Sequence, residues 1–272
     1  MIDSIDRYAS MFEQLDAKNE GAFVPFVMVG DPDIQTSVNI IKALVEGGAD
    51  GLELGFPYSD PIADGPTIQK ASIRALSNKI KTDDCFEIIR QVRETYADIP
   101  IGLLLYSNLI LKRSIEKFYQ DAAKAGVDSI LIADVPLREA DRFIAIAEQT
   151  GIKQILIAPP NASDETFAQI GKKSQGYTYL LGRAGVTGAE TAVTIPASEL
   201  IDKLTQYKVA PPLLGFGIST PAQVEDAIQS GAAGAISGSA TVNIIAENLS
   251  QPEVMLEKLK SFVKEMKAAT HK

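Results

Sequence analysis

The ten residues KAGVDSILIA, at positions 124–133, contain the pattern that decides the fold. A helix ends at Gly126, which can adopt the left-handed conformation of a C-cap without steric cost, and an apolar run follows at once. The same order of helix end, glycine turn and apolar run recurs around Gly48, Gly151 and Gly231. Runs that are apolar on both faces are typical of buried parallel strands.

Eight such runs follow one another along the chain, with helical patterns between them. We predict strands at residues 23–29, 51–55, 101–106, 129–133, 154–158, 177–181, 213–217 and 234–238. This alternation predicts an α/β fold, a single-domain (β/α)8 TIM barrel over residues 1–272, with an extra N-terminal helix closing the barrel bottom. The rival is an open doubly wound sheet. It is disfavoured because the alternation is unbroken and Gly215-Phe216-Gly217 lacks the third glycine of a dinucleotide-binding motif.

The composition excludes several classes of function. The net charge is −9, and an acidic surface repels phosphate backbones, which argues against nucleic-acid binding. No apolar run reaches the roughly 18 residues of a membrane span, and the N-terminus lacks the pattern of a signal peptide. Cys85 is the only cysteine, so it forms neither an intramolecular disulfide nor a thiolate metal site. We therefore expect a cytoplasmic protein.

The single histidine, His271, lies beside the C-terminal residue, where we expect a frayed tail. This excludes Ser-His-Asp and Cys-His catalysis and histidine metal sites, including those of metal-dependent aldolases. Acid–base chemistry is left to carboxylates, tyrosines or lysines. No lysine stands at the carboxyl end of a predicted strand, and Lys153 precedes its strand at the barrel bottom. A Schiff-base aldolase is therefore disfavoured.

Glu53 is the first candidate for catalysis, because it interrupts the apolar second strand. Side chains alternate along a strand, so Glu53 points into the barrel if Leu52 and Leu54 pack outward against helices. A carboxylate in a dry interior is costly unless it is paired or protonated. One interpretation is a general acid/base with a raised pKa; the alternative is a structural glutamate satisfied by backbone donors.

The loop after the second strand, Ser59 to Thr67, contains two more carboxylates and two prolines. Asp64 could act in catalysis or could cap the helix that starts near Pro66. Asp60 could equally be a turn residue. The candidate acid–base groups of the barrel mouth are therefore Glu53 and one aspartate of this loop.

Two glycine-rich regions complete the predicted mouth. The loop after the sixth strand, residues 182–195, is longer than most such loops, which indicates either a closing lid with glycine hinges or a tolerated surface insertion. The seventh and eighth strands end at Gly217 and Gly238. Barrels often bind phosphate there, on main-chain amides and a helix N-terminus; the alternative is two tight turns without a ligand. A metal-free carboxylate reaction on a phosphorylated substrate remains.

Several motifs, in this order and spacing, resemble the tryptophan synthase α subunit family from about Tyr8 to the C-terminal helix. They are Phe23-Val24-Pro25-Phe26, Glu53-Leu54-Gly55, SDPIADGPT at 59–67, Gly185-Val186-Thr187-Gly188, Gly215-Phe216-Gly217-Ile218 and AAGAISGS at 232–239. The loop 59–67 is very specific to the family, and the separate glycine motifs are much less so. Phe56 and Tyr58 depart from the pattern, which has smaller or non-hydroxylated residues there.

The resemblance implies a retro-aldol cleavage of indole-3-glycerol phosphate into indole and glyceraldehyde 3-phosphate. Glu53 matches the glutamate that moves a proton between the glycerol hydroxyl and indole C3, and Asp64 matches the aspartate that holds the indole N–H. Residues matching the substrate pocket are Tyr179, Phe26, Leu104, Leu131, Ala133, Ile157 and Phe216. Those matching the phosphate cradle are Gly188, Gly217, Gly238 and Ser239. Arg183 and Thr187 belong to the matching lid.

The resemblance also implies a partner, a pyridoxal-phosphate-dependent β subunit in an α2β2 complex that receives indole through a tunnel. This chain itself should need no cofactor. The residues expected to face the partner are Pro57, Tyr58, Asp60, Pro61, Asn108 and Pro136. Two alternatives stay open: a stand-alone lyase that releases free indole, and a non-catalytic regulatory subunit that binds a phosphorylated ligand.

Overall fold

Eight parallel strands pair in sequence order, and the first pairs with the last, so the sheet closes into a barrel. The computed structural model describes residues 6–181 and 197–272. The strands are β1 (Ala22–Met28), β2 (Leu52–Gly55), β3 (Ile101–Leu105), β4 (Ser129–Ile132), β5 (Lys153–Ala158), β6 (Thr178–Leu181), β7 (Pro212–Gly215) and β8 (Gly234–Ser237). The predicted (β/α)8 barrel is confirmed, with strand ends that differ by one or two residues.

Helices surround the barrel between the strands. Within the described residues they are α1 (Arg7–Ala17), α2 (Ile34–Glu46), α3 (Pro66–Ser77), α4 (Thr82–Thr95), α5 (Ser107–Leu111), α6 (Ile115–Ala125), α7 (Asp141–Thr150), α8 (Asp164–Lys173), α9 (Ala197–Gln206), α10 (Pro221–Gln229), α11 (Ser239–Glu247) and α12 (Pro252–Ala268). A short 3-10 helix, Leu137–Glu139, precedes α7. None of these helices is long and apolar enough to cross a membrane.

Local sequence signals explain where the helices begin and end. The Asp33 carboxylate accepts from Thr36 N–H at the start of α2, which satisfies an amide that has no partner inside the helix. Thr220 caps α10 in the same way, and Pro221 follows it at the first helical position. Gly126 and Gly151 end α6 and α7 in the left-handed conformation. The turns that return the chain to the sheet are therefore encoded locally.

The strands separate two apolar layers because successive side chains point to opposite faces. Leu52 and Leu54 belong to the outer layer, packed between the strands and the helices. Leu131, Leu213 and Ile236 belong to the inner layer that fills the barrel. Alternation in β2 therefore directs the side chain between the two leucines inward, to the position that the sequence predicted for Glu53.

The N-terminal helix closes the bottom of the barrel, as predicted. Tyr8 of α1 is buried against the inner layer, and its hydroxyl hydrogen-bonds with that of Ser129 at the start of β4, 2.7 Å away. Lys153, the first residue of β5, forms an ion pair with Asp6 just before α1, at 2.9 Å. This confirms that Lys153 lies at the bottom, far from the mouth where chemistry takes place in such barrels.

The C-terminal tail is ordered, contrary to the fraying expected from the sequence. His271 forms an antiparallel bridge with Glu20, and Lys272 N–H donates to the carbonyl of Asn19. Thr270 is fully buried. The tail is held because the turn after α1 supplies main-chain partners, which sequence position alone does not indicate.

Arg93, at the end of α4, joins several segments at the barrel bottom. Its guanidinium contacts Asp128 at 2.7 Å, and the same carboxylate pairs with Arg7 at 2.8 Å. It also donates to four carbonyls, those of Tyr96, Ala97, Ile99 and Gly126. Its planar fork of donors therefore links α4 to the turns that lead into β3 and β4.

Arg93→Lys should lower the free energy of unfolding by about 2 kcal/mol, because a lysine keeps the charge but leaves several partly buried carbonyls without donors. Urea unfolding followed by far-ultraviolet circular dichroism measures the change. Arg90→Lys is the matched control on the same helix, since Arg90 and its partner Glu87 are about half exposed. The control should stay within about 0.5 kcal/mol of the parent, and equal losses in both variants would contradict the role of the fork.

Candidate active site

A cavity of about 550 Å3 opens at the carboxyl ends of the strands. Within the described ranges, every residue predicted for catalysis, substrate binding or phosphate binding lines it: Phe26, Glu53, Asp64, Leu104, Leu131, Ala133, Ile157, Tyr179, Phe216, Gly217, Gly238 and Ser239. The lining also includes residues that were not predicted from the sequence to belong to the site: Ala63, Ile68, Leu181, Ile218, Ser219, Ile236 and Ala240. Most are chain neighbours of the named residues, so the strand ends themselves were the available signal.

Glu53 lies inside the barrel and is 2% exposed. Burial raises the pKa of its carboxyl group to about 8, and a hydrogen bond donated by the Tyr177 hydroxyl, at 3.1 Å, acts in the opposite direction. A single neutral donor offsets only part of the desolvation of a carboxylate. Glu53 is therefore protonated near neutral pH, a state suited to a general acid.

Asp64 lines the same cavity, on the loop after β2. Burial raises its pKa to about 6, and a hydrogen bond from Tyr106 partly counteracts the rise. Helix α3 begins at Pro66 with Gly65 as its N-cap and no side-chain cap bond, so the capping alternative for Asp64 is not what the fold uses. The two carboxyl groups thus differ in pKa by about two units, which favours one acid and one base near neutral pH.

Two tyrosines that hydrogen-bond the carboxyl groups, Tyr177 with Glu53 and Tyr106 with Asp64, were not predicted as site residues. Tyr177 and Tyr179 both point inward because they stand two positions apart on either side of Thr178, and this spacing could have identified Tyr177. Burial, and then the neighbouring charge of Glu53, raises the pKa of both hydroxyls, which keeps them protonated as donors. Tyr106, at the end of β3, donates to Asp64, and no sequence spacing indicates that pairing.

The backbone at the end of β7 is shaped by its aromatic neighbours. A Cβ on Gly215 would lie 2.2 Å from the Tyr179 hydroxyl oxygen, so only glycine leaves room for that ring. Phe216 has a φ of 71°, a conformation that is strained for a bulky residue, and its ring lines the cavity. The strained backbone of Phe216 is therefore part of the cavity wall.

The part of the cavity lined by Gly217 and Gly238 has the features of an anion site. Gly217 has a φ of 82°, and a Cβ placed there would meet nothing within 4 Å. Gly238 precedes α11, whose N-terminus has no side-chain cap bond, and a Cβ there would meet only Phe26 at 3.8 Å. Uncapped amides and the helix dipole can bind a phosphate in the space above these glycines.

The residues expected to face a partner lie in the loops after β2, β3 and β4, beside this mouth. Asp60, Asn108 and Pro136 are exposed, and Tyr58 and Pro61 are half-buried. Pro57 is buried, so within this chain it supports the loop rather than the surface. Ile62, in the loop after β2, was not among the expected partner contacts, but it is 75% exposed beside them.

Three predicted residues, Arg183, Thr187 and Gly188, lie outside the described residues.

Comparison with known proteins identifies one family. Residues 12–271 match the family model described as tryptophan synthase alpha chain. The chain is 58% identical over 268 residues to the tryptophan synthase alpha chain of Vibrio parahaemolyticus, which covers 98% of this chain and 100% of the relative. It is 57% identical over 265 residues to that of Francisella tularensis, covering 97% and 98%.

Solved structures agree in fold. The tryptophan synthase subunit alpha of Legionella pneumophila superposes with a TM-score of 0.87 at 31% identity, covering 98% of this chain and 99% of that chain. A chain of the Pyrococcus furiosus tryptophan synthase complex superposes with a TM-score of 0.80 at 36% identity, covering 91% and 98%.

Glu53→Gln should stabilise the protein increasingly as the pH rises. The folded-state pKa of about 8 lies above the ordinary value of 4.5, so folding takes up a proton and stability falls as the pH rises between these values. Glutamine removes this dependence. We expect the difference in free energy of unfolding between variant and parent to grow by at least about 1 kcal/mol between about pH 5 and pH 8.

Glu87→Gln is the control for this measurement. Hydrogen bonds from Arg90 and Gln91 lower the pKa of exposed Glu87, so it is ionised in both folded and unfolded states across that range. Its difference from the parent should stay constant with pH. Parallel curves for Glu53→Gln and the parent would show that Glu53 is not held protonated by burial.

Proposed function

The chain belongs to the tryptophan synthase alpha chain family, and from this premise we propose that Glu53 and Asp64 carry out its reaction. The enzyme is a carbon–carbon lyase that cleaves indole-3-glycerol phosphate into indole and glyceraldehyde 3-phosphate. The observation that carries the proposal is a buried, protonated Glu53 that shares one cavity with Asp64 and an uncapped helix end.

Glu53 supplies and recovers the proton. Its carboxylic acid protonates indole C3, which turns the ring into an electron sink. The resulting carboxylate then takes the proton of the adjacent glycerol hydroxyl, and the carbon–carbon bond breaks as the aldehyde forms. The electron pair of that bond restores the aromatic indole, and Glu53 ends protonated as it began. A carboxyl group with a pKa of about 8 serves both steps near neutral pH.

Asp64 stabilises the charge that protonation of C3 places on the indole nitrogen. Its pKa of about 6 leaves it ionised near neutral pH, so its carboxylate can accept the indole N–H. The electrostatic attraction strengthens as the ring becomes cationic, which lowers the barrier more than it strengthens substrate binding. Desolvation of the cavity increases this effect.

The remaining lining positions the substrate. Apolar side chains surround the indole ring, namely Phe26, Leu104, Leu131, Ala133, Ile157 and Phe216, and Tyr179 faces the glycerol hydroxyls. The phosphate lies over Gly217, Gly238 and Ser239, where α11 contributes its N-terminal amides. We also assign Gly188 to this cradle and Arg183 and Thr187 to a lid. An acidic chain needs such a local device to bind an anion.

The partner of the chain is the β subunit of tryptophan synthase, as in the α2β2 complex of Pyrococcus furiosus. We propose that Tyr58, Asp60, Pro61, Asn108 and Pro136 face it, with Pro57 supporting the loop from beneath. Pyridoxal phosphate belongs to that subunit, and this chain works without a cofactor. Residues 1–272 act as one domain in the cytoplasm.

Glu53→Gln should reduce kcat for indole formation by at least about a thousandfold, because glutamine can neither give nor take the proton. Substrate should still bind, since the phosphate and indole contacts remain; equilibrium dialysis of indole-3-glycerol phosphate measures this. Asp64→Asn should lose at least about tenfold. Near-full kcat in Glu53→Gln, or a loss below about threefold in Asp64→Asn, contradicts the assigned role.

Ile62→Glu should weaken binding of the β subunit at least tenfold, because it places a charge on the proposed contact surface; about 1.4 kcal/mol is expected. Leu249→Glu is the matched control, since Leu249 is also an exposed apolar residue, 40% accessible. It follows the C-terminal end of α11, whereas the cavity lies at the N-terminal end of that helix. Surface plasmon resonance against immobilised β subunit gives both affinities. Equal affinities of the two variants for the β subunit would contradict a contact between this subunit and the loop that carries Ile62.

A further inference from the structure

Tyr58 departs from the family pattern by its hydroxyl group, and the structure gives that hydroxyl a partner. Asn108 of α5 donates its side-chain N–H to the Tyr58 oxygen, at 2.6 Å. Helix α5 is itself held in place, because Asp134 after β4 accepts from both the backbone N–H and the hydroxyl of Ser107, each at 2.8 Å. The Tyr58 ring is thus anchored at the rim of the mouth.

The anchored ring lies against Tyr106. The two rings stack with centroids 5.3 Å apart and an angle of 29° between their planes. Tyr106 is 3% exposed, whereas Tyr58 is half-buried, so Tyr58 stands between Tyr106 and solvent. A stacked neighbour of this kind restricts the orientation of the ring that it covers.

The orientation of Tyr106 matters because its hydroxyl has one proton to give. Its oxygen already accepts the N–H of Ala63, at 3.1 Å, and its proton goes to Asp64. Among the residues that the structure describes, Tyr179 of β6 also interacts with Asp64, and the charge of Asp134, just after β4, helps to raise the pKa of Tyr106. No cationic side chain within the described residues forms an ion pair with Asp64. In the part of the chain that the structure describes, the Tyr106 hydroxyl is therefore the hydrogen-bond donor to this carboxylate.

We propose that Tyr58 is a positioning residue for Asp64: anchored by Asn108, it holds the Tyr106 ring in the orientation that directs the hydroxyl proton to the Asp64 carboxylate. The inference rests on the proposed role of Asp64 in the cleavage. It links an exposed amide at the rim to a catalytic carboxylate through three consecutive contacts.

The test compares Tyr58→Phe and Asn108→Ala, which each remove the rim hydrogen bond, with Tyr106→Phe, which removes the donor itself. For each variant, kcat/KM for indole formation is measured between about pH 5 and pH 8, at β-subunit concentrations that saturate its activity. Tyr96→Phe is the matched control. The Tyr96 hydroxyl donates to exposed Glu46 at 3.3 Å, at the end of α4 on the bottom side of the barrel.

Tyr106→Phe should move the acid limb of the profile upward by at least about half a unit, since Asp64 loses the bond that lowers its pKa. Tyr58→Phe and Asn108→Ala should move it in the same direction by less, with kcat/KM about threefold lower near pH 6. The double variant Tyr58→Phe/Asn108→Ala should have the same pH profile of kcat/KM as either single variant, because both substitutions remove the same hydrogen bond. Tyr96→Phe should match the parent.

The proposal is overturned if the pH profile of Tyr58→Phe coincides with that of the parent. It is also overturned if the acid limb shifts in Asn108→Ala but not in Tyr58→Phe. Thermal unfolding midpoints within a few degrees of the parent confirm that each variant is folded. Asp64→Asn separates the two levels of inference. If that variant is inactive while the tyrosine variants keep the parental acid limb, only the positioning role fails; if it retains full activity, the role of Asp64 in the reaction fails first.

Discussion

The burial of one carboxyl group, that of Glu53, is the constraint around which the barrel interior is arranged. Closing the sheet removes this group from water, and within residues 6–181 and 197–272 the hydrogen bond that counteracts the cost comes from the neutral hydroxyl of Tyr177. A cation in that place would lower the pKa and remove the acid function. Tyr177, just before β6, therefore stabilises Glu53 without ionising it. Gly215 is needed because the ring of Tyr179 occupies the space where a Cβ would lie.

The two ends of the barrel solve different physical problems. At the bottom, charges are paired and multiply hydrogen-bonded: Arg93 and Arg7 share Asp128, and α1 seals the inner layer with Tyr8. At the mouth, the described hydrogen-bond donors of the Glu53 and Asp64 side chains are tyrosine hydroxyls, Phe216 is held in a strained conformation and α11 begins without a side-chain cap. Stability is thus concentrated away from the groups that need unusual pKa values, as expected when a fold separates its scaffold from its chemistry.

Much of the site could be predicted because barrel geometry converts strand ends into neighbours. Once eight strands were identified, the alternation of side chains along β2 predicted that Glu53 points inward. The same strands placed Gly217 and Gly238 at the carboxyl ends of two neighbouring strands, β7 and β8. The family resemblance assigned the apolar lining, and each of those residues lines the cavity. The partners of the carboxyl groups were missed. Tyr177 was within reach of the alternation rule, but the pairing of Tyr106 with Asp64 joins two loops, and the angle at which loops meet has no local signature.

The sequence by itself determined the order of the elements, the turns between them and the inward direction of Glu53, because glycine caps, capping hydroxyls and strand alternation are properties of short segments. Only the tertiary structure decided how water is excluded from Glu53 and Asp64, how the tail pairs with Glu20 and how Tyr58 stacks on Tyr106. These features depend on residues far apart in the chain, and desolvation is a property of the whole packed interior that no single segment contains.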